Sequence, residues 1–401
     1  MKMILVLALL LMTSFVWASD YTIKGNTKTQ TRFIEKLLNK CEKEESNLDS
    51  LKQCLLNSRL FSEVTIQKIN NETIIEVKDR WSIIPYPSLK LSSEGKQSFG
   101  AFVFDANFLG MGTLLGVGGS FSNSSSSYIL FYQDKSFLLS DWTFGFSTGK
   151  NNVDVYWKNK NLEEMDAFHE KTSHHSVSLG YNFTTHFNLE GSFLKKFTSY
   201  EAIHDYTIPQ EYHATMARLK ATYVKEDYKF YFADGFHIVG SVGQELSRSD
   251  NTSKTRLVTG TFFLGKEAHK KQAIQWTINT AFLEGGDKRD ALKSGRRETS
   301  GRGLRGIPEG GYFTHFIATT SIDYQIPLRF TKYGTWTLAP FVDFGKINGH
   351  EKQNEDLWQK AYGIGSYFFL KGIMLPGVGF LIGRNATFKN GFAELSIGES
   401  F

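Results

Sequence analysis

Arg305 lies in the stretch Gly301 to Gly311, whose five glycines let the backbone fold back tightly. Its guanidinium is a planar fork of donors that needs an acidic partner wherever it enters a confined space. Two later carboxylates are placed to serve. Asp323 sits opposite Ile322 and Tyr324 in the alternating run from Phe316 to Ile326, and Asp343 sits opposite Leu338, Val342 and Phe344 in the run from Trp336 to Phe344. Both acids therefore occupy the face that the apolar side chains leave free. Such a group would do binding chemistry, a charge-assisted clamp.

Other candidate chemistries fall away. Gly301, Gly303 and Gly306 satisfy G-x-G-x-x-G, but Pro308 and Gly310-Gly311 follow and no βαβ unit surrounds them, so a dinucleotide site is discarded and no cofactor is expected. His174 and His175 are adjacent, point to opposite faces of a strand and cannot share one metal. No spacing singles out a Ser and His for hydrolysis. The chain is read as a non-enzyme without a metal site.

The elements that must position Arg305 follow from composition and period. The chain has 401 residues, 41% hydrophobic and 22% charged, and beyond its start has no apolar stretch of about 20 residues, which excludes a polytopic helical membrane protein. A net charge of +5 spread over 46 basic and 41 acidic residues gives no concentrated cationic field and argues against nucleic acid as a partner. Lys2, the apolar run Ile4 to Leu11 and Val16-Trp17-Ala18 predict a secretory signal over residues 1–18.

Residues 19–88 read as a small α+β unit of order βααββ. Tyr21 to Lys24 alternates like a strand, Phe33, Ile34, Leu37 and Leu38 mark one helix, and Leu48, Leu51, Leu55 and Leu56 mark a second. Two β-rich segments around Val64 and Ile74 flank the turn residues Asn70-Asn71. An even cysteine count in an exported chain favours a bridge between Cys41 and Cys54 over two buried thiols.

From residue 89 to 401 the period becomes two. Trp142, Phe144 and Phe146 alternate with Thr143, Gly145 and Ser147, and Ile274, Trp276 and Ile278 with Gln275, Thr277 and Asn279. One face is greasy and aromatic, the other small and polar, and with export this predicts an all-β transmembrane barrel of about 16 antiparallel strands. Gly116, Gly118, Gly119, Gly391 and Gly398 fit either a weak seam between first and last strands or a tightly curved wall.

Several segments resemble the Omp85 superfamily of outer-membrane barrels. The βααββ unit resembles a POTRA domain through Ile23-Lys24-Gly25-Asn26, Leu60-Phe61-Ser62-Glu63-Val64 and Asp79-Arg80-Trp81. Asp105 to Gly112 resembles the superfamily's first barrel strand, and Leu304-Arg305-Gly306-Ile307 its (V/I)RG(F/Y) motif in the sixth extracellular loop, expected around 283–313. Pro340 to Gly345 resembles the strand that receives that loop, and Leu395, Ile397 and Phe401 resemble the terminal signal of outer-membrane barrels. Ile307 departs from the motif's usual aromatic, and a single POTRA replaces the several of the large assembly factors.

The resemblance implies that Arg305 is the tip of a lumenal latch contacting Asp323 and Asp343; otherwise the motif is a solvated extracellular loop. It further implies a bacterial outer-membrane factor with its POTRA domain in the periplasm. That domain would capture client outer-membrane or secreted polypeptides by strand addition, in contact with outer-membrane lipid and periplasmic accessory proteins. A passive porin-like channel is the alternative.

Overall fold

The computed structural model describes residues 21–42, 47–69, 72–92, 97–158, 164–204, 208–229, 231–250, 252–269, 271–286, 292–293, 305–306, 313–348, 357–370, 376–387 and 389–397. The signal segment, Asn70-Asn71, Gly301, Gly303, Leu304, Gly398 and Phe401 lie outside them.

The N-terminal unit contains strand β1 (Tyr21–Lys24), helices α1 (Thr31–Glu42) and α2 (Leu48–Asn57), and strands β2 (Phe61–Ile69) and β3 (Glu72–Asp79). Its sheet has the order β1-β3-β2, with β1 parallel to β3 and β2 antiparallel. Phe33, Ile34, Leu38 and Cys41 of α1 pack with Leu51 and Leu55 of α2 on Phe61, Val64, Ile75 and Val77 of the sheet. Leu48, expected in the buried stripe, is exposed at the start of α2, where Asn47 caps the helix by accepting from the Ser50 amide at 2.8 Å. Gly25 has φ +83° and lies so close to the Val77 carbonyl that a β-carbon would overlap it.

Cys41 and Cys54 are disulfide-bonded with Cα atoms 6.0 Å apart, joining the end of α1 to the middle of α2. The bridged residues are 13 apart in sequence, so the bond should contribute about 3 kcal/mol by restricting the unfolded chain. Reduction is expected to lower the unfolding temperature of this unit and leave the barrel transition unmoved, as followed by calorimetry with and without reductant.

The barrel strands are β4 (Ile83–Ser92), β5 (Gln97–Phe108), β6 (Thr113–Ser122), β7 (Ser125–Asp134), β8 (Trp142–Lys158), β9 (Glu164–Asn182), β10 (Phe187–Ala202), β11 (Tyr212–Tyr228), β12 (Ala233–Arg248), β13 (Arg256–Glu267) and β14 (Ala273–Glu284). Two short strands, β15 (Leu292–Lys293) and β16 (Phe313–Thr314), pair apart from the wall. Strands β17 (Phe316–Phe330), β18 (Gly334–Asn348), β19 (Leu357–Leu370), β20 (Pro376–Asn385) and β21 (Asn390–Ile397) complete it. The result is a closed antiparallel barrel of 16 strands, β21 meeting β4. Among the described residues no helix is long and apolar enough to cross a membrane.

Two sequence expectations shift. The boundary at residue 88 falls inside β4, because Pro85 and Pro87 interrupt the apolar alternation there although both are paired to β5. Asp105 to Gly112, expected to be the first barrel strand, is the end of the second strand and its turn.

Alternation sets the two faces. On β14, Gln275, Thr277 and Asn279 are 5%, 7% and 4% exposed, whereas Ile274 and Trp276 are 41% and 37% exposed, so the apolar set faces outward. The inner face is not uniformly small and polar. On β4 to β7 it carries Tyr86, Phe102, Phe104 and Phe131 in mutual ring contact, and Gly116 and Gly118 of β6 leave room for those rings. These glycines serve that packing, two strands from the seam.

One rim of the barrel, the near rim, lies under the N-terminal unit. The Gln30 amide donates to Gly110 O at 2.8 Å, Lys28 pairs with Asp105 at 2.9 Å, and Asn107 donates to the Thr29 hydroxyl at 2.8 Å. Lys36 reaches Ser140 O and Asp141, and Asn57 donates to Asp227 at 3.2 Å. Burial lowers the Lys36 ammonium to about 8, although Asp141 draws it back upward. Burial also raises Asp79, but hydrogen bonds from Lys28, Thr29 and Thr27 outweigh it and hold the carboxyl below its usual range. The unit thus spans from the β5–β6 turn across to the β11–β12 turn.

Candidate functional site

β17 and β18 pair so that Ser321 faces Asp343 and Asp323 faces Phe341 across the strands. All four have the parity of the inner face, forming a two-by-two block of a hydroxyl, two carboxylates and a ring. Strand alternation alone produces this block, since each side chain is two residues from the next on its own strand.

The connection from β14 to β17 is the sixth at the far rim, and Arg305 comes from it into this block. Arg305 Nε donates to Asp343 Oδ2 at 2.8 Å and Nη2 to Asp343 Oδ1 at 2.6 Å, a bidentate pair. Nη1 donates to Asp323 Oδ1 at 2.9 Å, and Nη2 also donates to Ser321 Oγ at 2.7 Å. The Arg305 amide donates to Asp343 Oδ2 at 3.2 Å, so backbone and side chain are both tied. The side chains are 9%, 4% and 1% exposed for Arg305, Asp323 and Asp343, which places the cluster away from bulk water.

Ser321 donates to Asp343 Oδ1 at 2.6 Å and links the acids, and the guanidinium carbon lies 3.5 Å from the centroid of the Phe341 ring. Gly306 has φ +70° and abuts the Phe392 ring of β21, where a β-carbon would overlap it. Phe392 stands 6.4 Å from Phe341. The loop tip is therefore packed between the receiving strands and the last strand of the barrel.

Ser321, Phe341 and Phe392 escaped the sequence reading as partners. Ser321 and Phe341 share the parity of the two acids, which was the available signal; Phe392 had none, because its contact depends on the register of three successive strand pairs, β18-β19-β20-β21. Leu395 and Ile397 lie in β21, with Leu395 paired to Leu91 and Ile397 to Leu89 of β4. Leu304 and Phe401 fall outside the described residues. Among the described residues no group of three His, Cys, Asp or Glu side chains is arranged to hold a metal ion.

A sixteen-strand barrel with apolar outer face, an α+β unit at one rim and a loop tied to the inner wall defines an outer-membrane-type β-barrel. The family model described as the Omp85 superfamily domain matches residues 107–283, so that stretch is similar to the Omp85 superfamily domain. The matched stretch ends before Arg305, Asp323 and Asp343, whose arrangement rests on the geometry above.

Solved structures with this fold include BamA from Haemophilus ducreyi lacking POTRA domains 1–3, at 14% identity and TM-score 0.58, covering 94% of this chain and 83% of that one. CdiB from Acinetobacter baumannii aligns at 14% identity and TM-score 0.62, covering 94% and 72% respectively. CdiB from Escherichia coli aligns at 12% identity and TM-score 0.63, covering 94% and 75%. Identities this low speak for the fold alone. Among curated proteins no sequence match is found.

Proposed function

We propose that this protein is an outer-membrane factor that inserts, assembles or translocates polypeptides, with the α+β unit acting as a periplasmic POTRA domain. The near rim then faces the periplasm and the Arg305 loop faces outside. The observation that carries the reading is the placement of the α+β unit, fastened to barrel turns by Lys28, Gln30, Lys36 and Asn57. A passive porin-like channel is not served by a domain held across its mouth.

The unit has a surface suited to extended chains. β2 is nine residues long and forms the outer edge of the sheet order β1-β3-β2, so its free side can accept another strand through main-chain hydrogen bonds. Such capture is tolerant of sequence and needs no catalytic residue. The barrel wall offers a second edge. Among the described residues β21 and β4 share four residue pairs, against nine between β4 and β5, and Pro85 and Pro87 leave β4 without two donors.

Depletion of the protein in cells tests this reading. The proposal expects loss of particular polypeptides from the outer membrane or cell surface, with uptake of small hydrophilic solutes unchanged. Reduced solute uptake with a normal polypeptide complement would favour the porin-like channel.

A further inference from the structure

The outward face of β18, β19 and β20 is apolar up to Phe344, Tyr362 and Ile382, which are 41%, 51% and 46% exposed. Beyond them toward the far rim the same face becomes cationic. Lys346, Lys360 and Arg384 are the next residues of that parity on the three strands. The register pairs Phe344 with Lys360, Lys346 with Trp358, and Tyr362 with Arg384, so the three cations form one cluster across adjacent strands. Strand spacing puts neighbours in it roughly 5–10 Å apart.

Two details fix the depth and shape of the cluster. Trp358, 65% exposed, stands one outward-facing position beyond Lys360, and Lys346 Nζ lies 5.7 Å from its ring centroid, the arrangement of an interfacial aromatic. The β20–β21 turn folds over the end of β19: the Thr387 hydroxyl donates to Trp358 O at 3.0 Å and accepts from the Lys360 amide at 3.1 Å, while the Ala386 amide donates to Lys360 O at 2.8 Å. That turn adds Lys389, which is exposed.

On the outward face of β18 to β21, no described residue is acidic. Glu351, Glu355 and Asp356 belong to the β18–β19 connection, outside the described residues. Cations on a lipid-facing surface are unfavourable in hydrocarbon and become favourable where anionic headgroups meet them.

We propose that the far rim of β18 to β20 binds the phosphate-bearing headgroup of an outer-leaflet glycolipid, with Lys346, Lys360, Arg384 and Lys389 contacting phosphate and the apolar strip below receiving acyl chains. The proposal rests on the outer-membrane reading above. β20 is next to β21, so the bound lipid lies beside the seam at its outer end.

The test uses the full-length protein in detergent, with native mass spectrometry reading lipid occupancy. The probes are bis-phosphorylated lipid A, the same lipid stripped of phosphate, and phosphatidylglycerol. Lipid A is expected to bind wild type, and Lys360→Gln/Arg384→Gln/Lys389→Gln to bind it on the order of a hundredfold more weakly, given the contribution of each basic residue near an anionic headgroup. The control Lys150→Gln/Lys195→Gln, on the outward faces of β8 and β10, should bind as wild type does. Dephosphorylated lipid and phosphatidylglycerol should bind wild type more weakly than lipid A. Equal lipid A binding by wild type and the triple variant overturns the site, as does equal binding of either comparison lipid. Failure of wild type to show heat-modifiable gel migration would instead refute the barrel reading beneath it.

Discussion

Arg305→Ala is expected to release the sixth loop and reduce client handling at least tenfold while the barrel still closes. The side chain makes its contacts to Asp343, Asp323 and Ser321 in a pocket where those acids are almost fully buried. Breaking a buried pair by removing one partner costs about 3–5 kcal/mol, because the remaining charges are left uncompensated. That shifts the clamped-to-free ratio of the loop by roughly two to four orders of magnitude. The barrel ladder involves none of these side chains, so closure should persist.

The variants around Arg305 should rank by geometry. Asp343 receives the bidentate pair and the Arg305 amide, whereas Asp323 receives one short contact and one at 3.4 Å, so Asp343→Asn should loosen the loop more than Asp323→Asn. Arg305→Lys keeps the charge without the planar fork and should fall between wild type and alanine. Protease cleavage within Gly301 to Gly311 reads the loop, and the surface polypeptide profile reads function. Wild-type loop protection and client handling in Arg305→Ala would show that the clamp has no such role.

Locking the seam should abolish client handling more completely than loss of the clamp. Leu91 of β4 and Leu395 of β21 are direct cross-strand partners, at a separation that suits a disulfide. With Leu91→Cys and Leu395→Cys, oxidation should stop client assembly and raise the heat resistance of the barrel, and reductant should restore activity. Ile382→Cys with Ala393→Cys ties β20 to β21, strands that need not part, and should leave activity intact. Undiminished client handling with a fully locked seam would rule out lateral opening.

The sequence made the architecture readable where one periodicity governs both burial and register. Alternation around Asp323 and Asp343 was enough to put both on one face, since parity does not depend on which strands pair. It could not bring Phe392 to Gly306, because that contact reaches across β19 and β20, where Gly363 and Gly383 leave room for the Phe341 and Phe392 rings. Pro85 and Pro87 hid the start of β4, since they break the pattern that marks a strand, and both lie before the stretch of β4 that pairs with β21. The inner aromatics Phe102, Phe104 and Phe131 were also illegible, because an apolar residue on a polar face looks like a slip in register until the glycines opposite it are placed.

Extended polypeptides are expected to pass from the α+β unit to the barrel seam. A photo-crosslinking residue at Gln67, exposed on the edge strand β2, follows that passage in living cells, with the same probe at Lys52 on α2 as the control. The proposed route predicts adducts between Gln67 and unfolded outer-membrane or secreted polypeptides, accumulating when the Leu91–Leu395 lock is oxidised and absent from the control position. No polypeptide adducts at Gln67 under either condition, together with free diffusion of small solutes through the purified protein in vesicles, would contradict it.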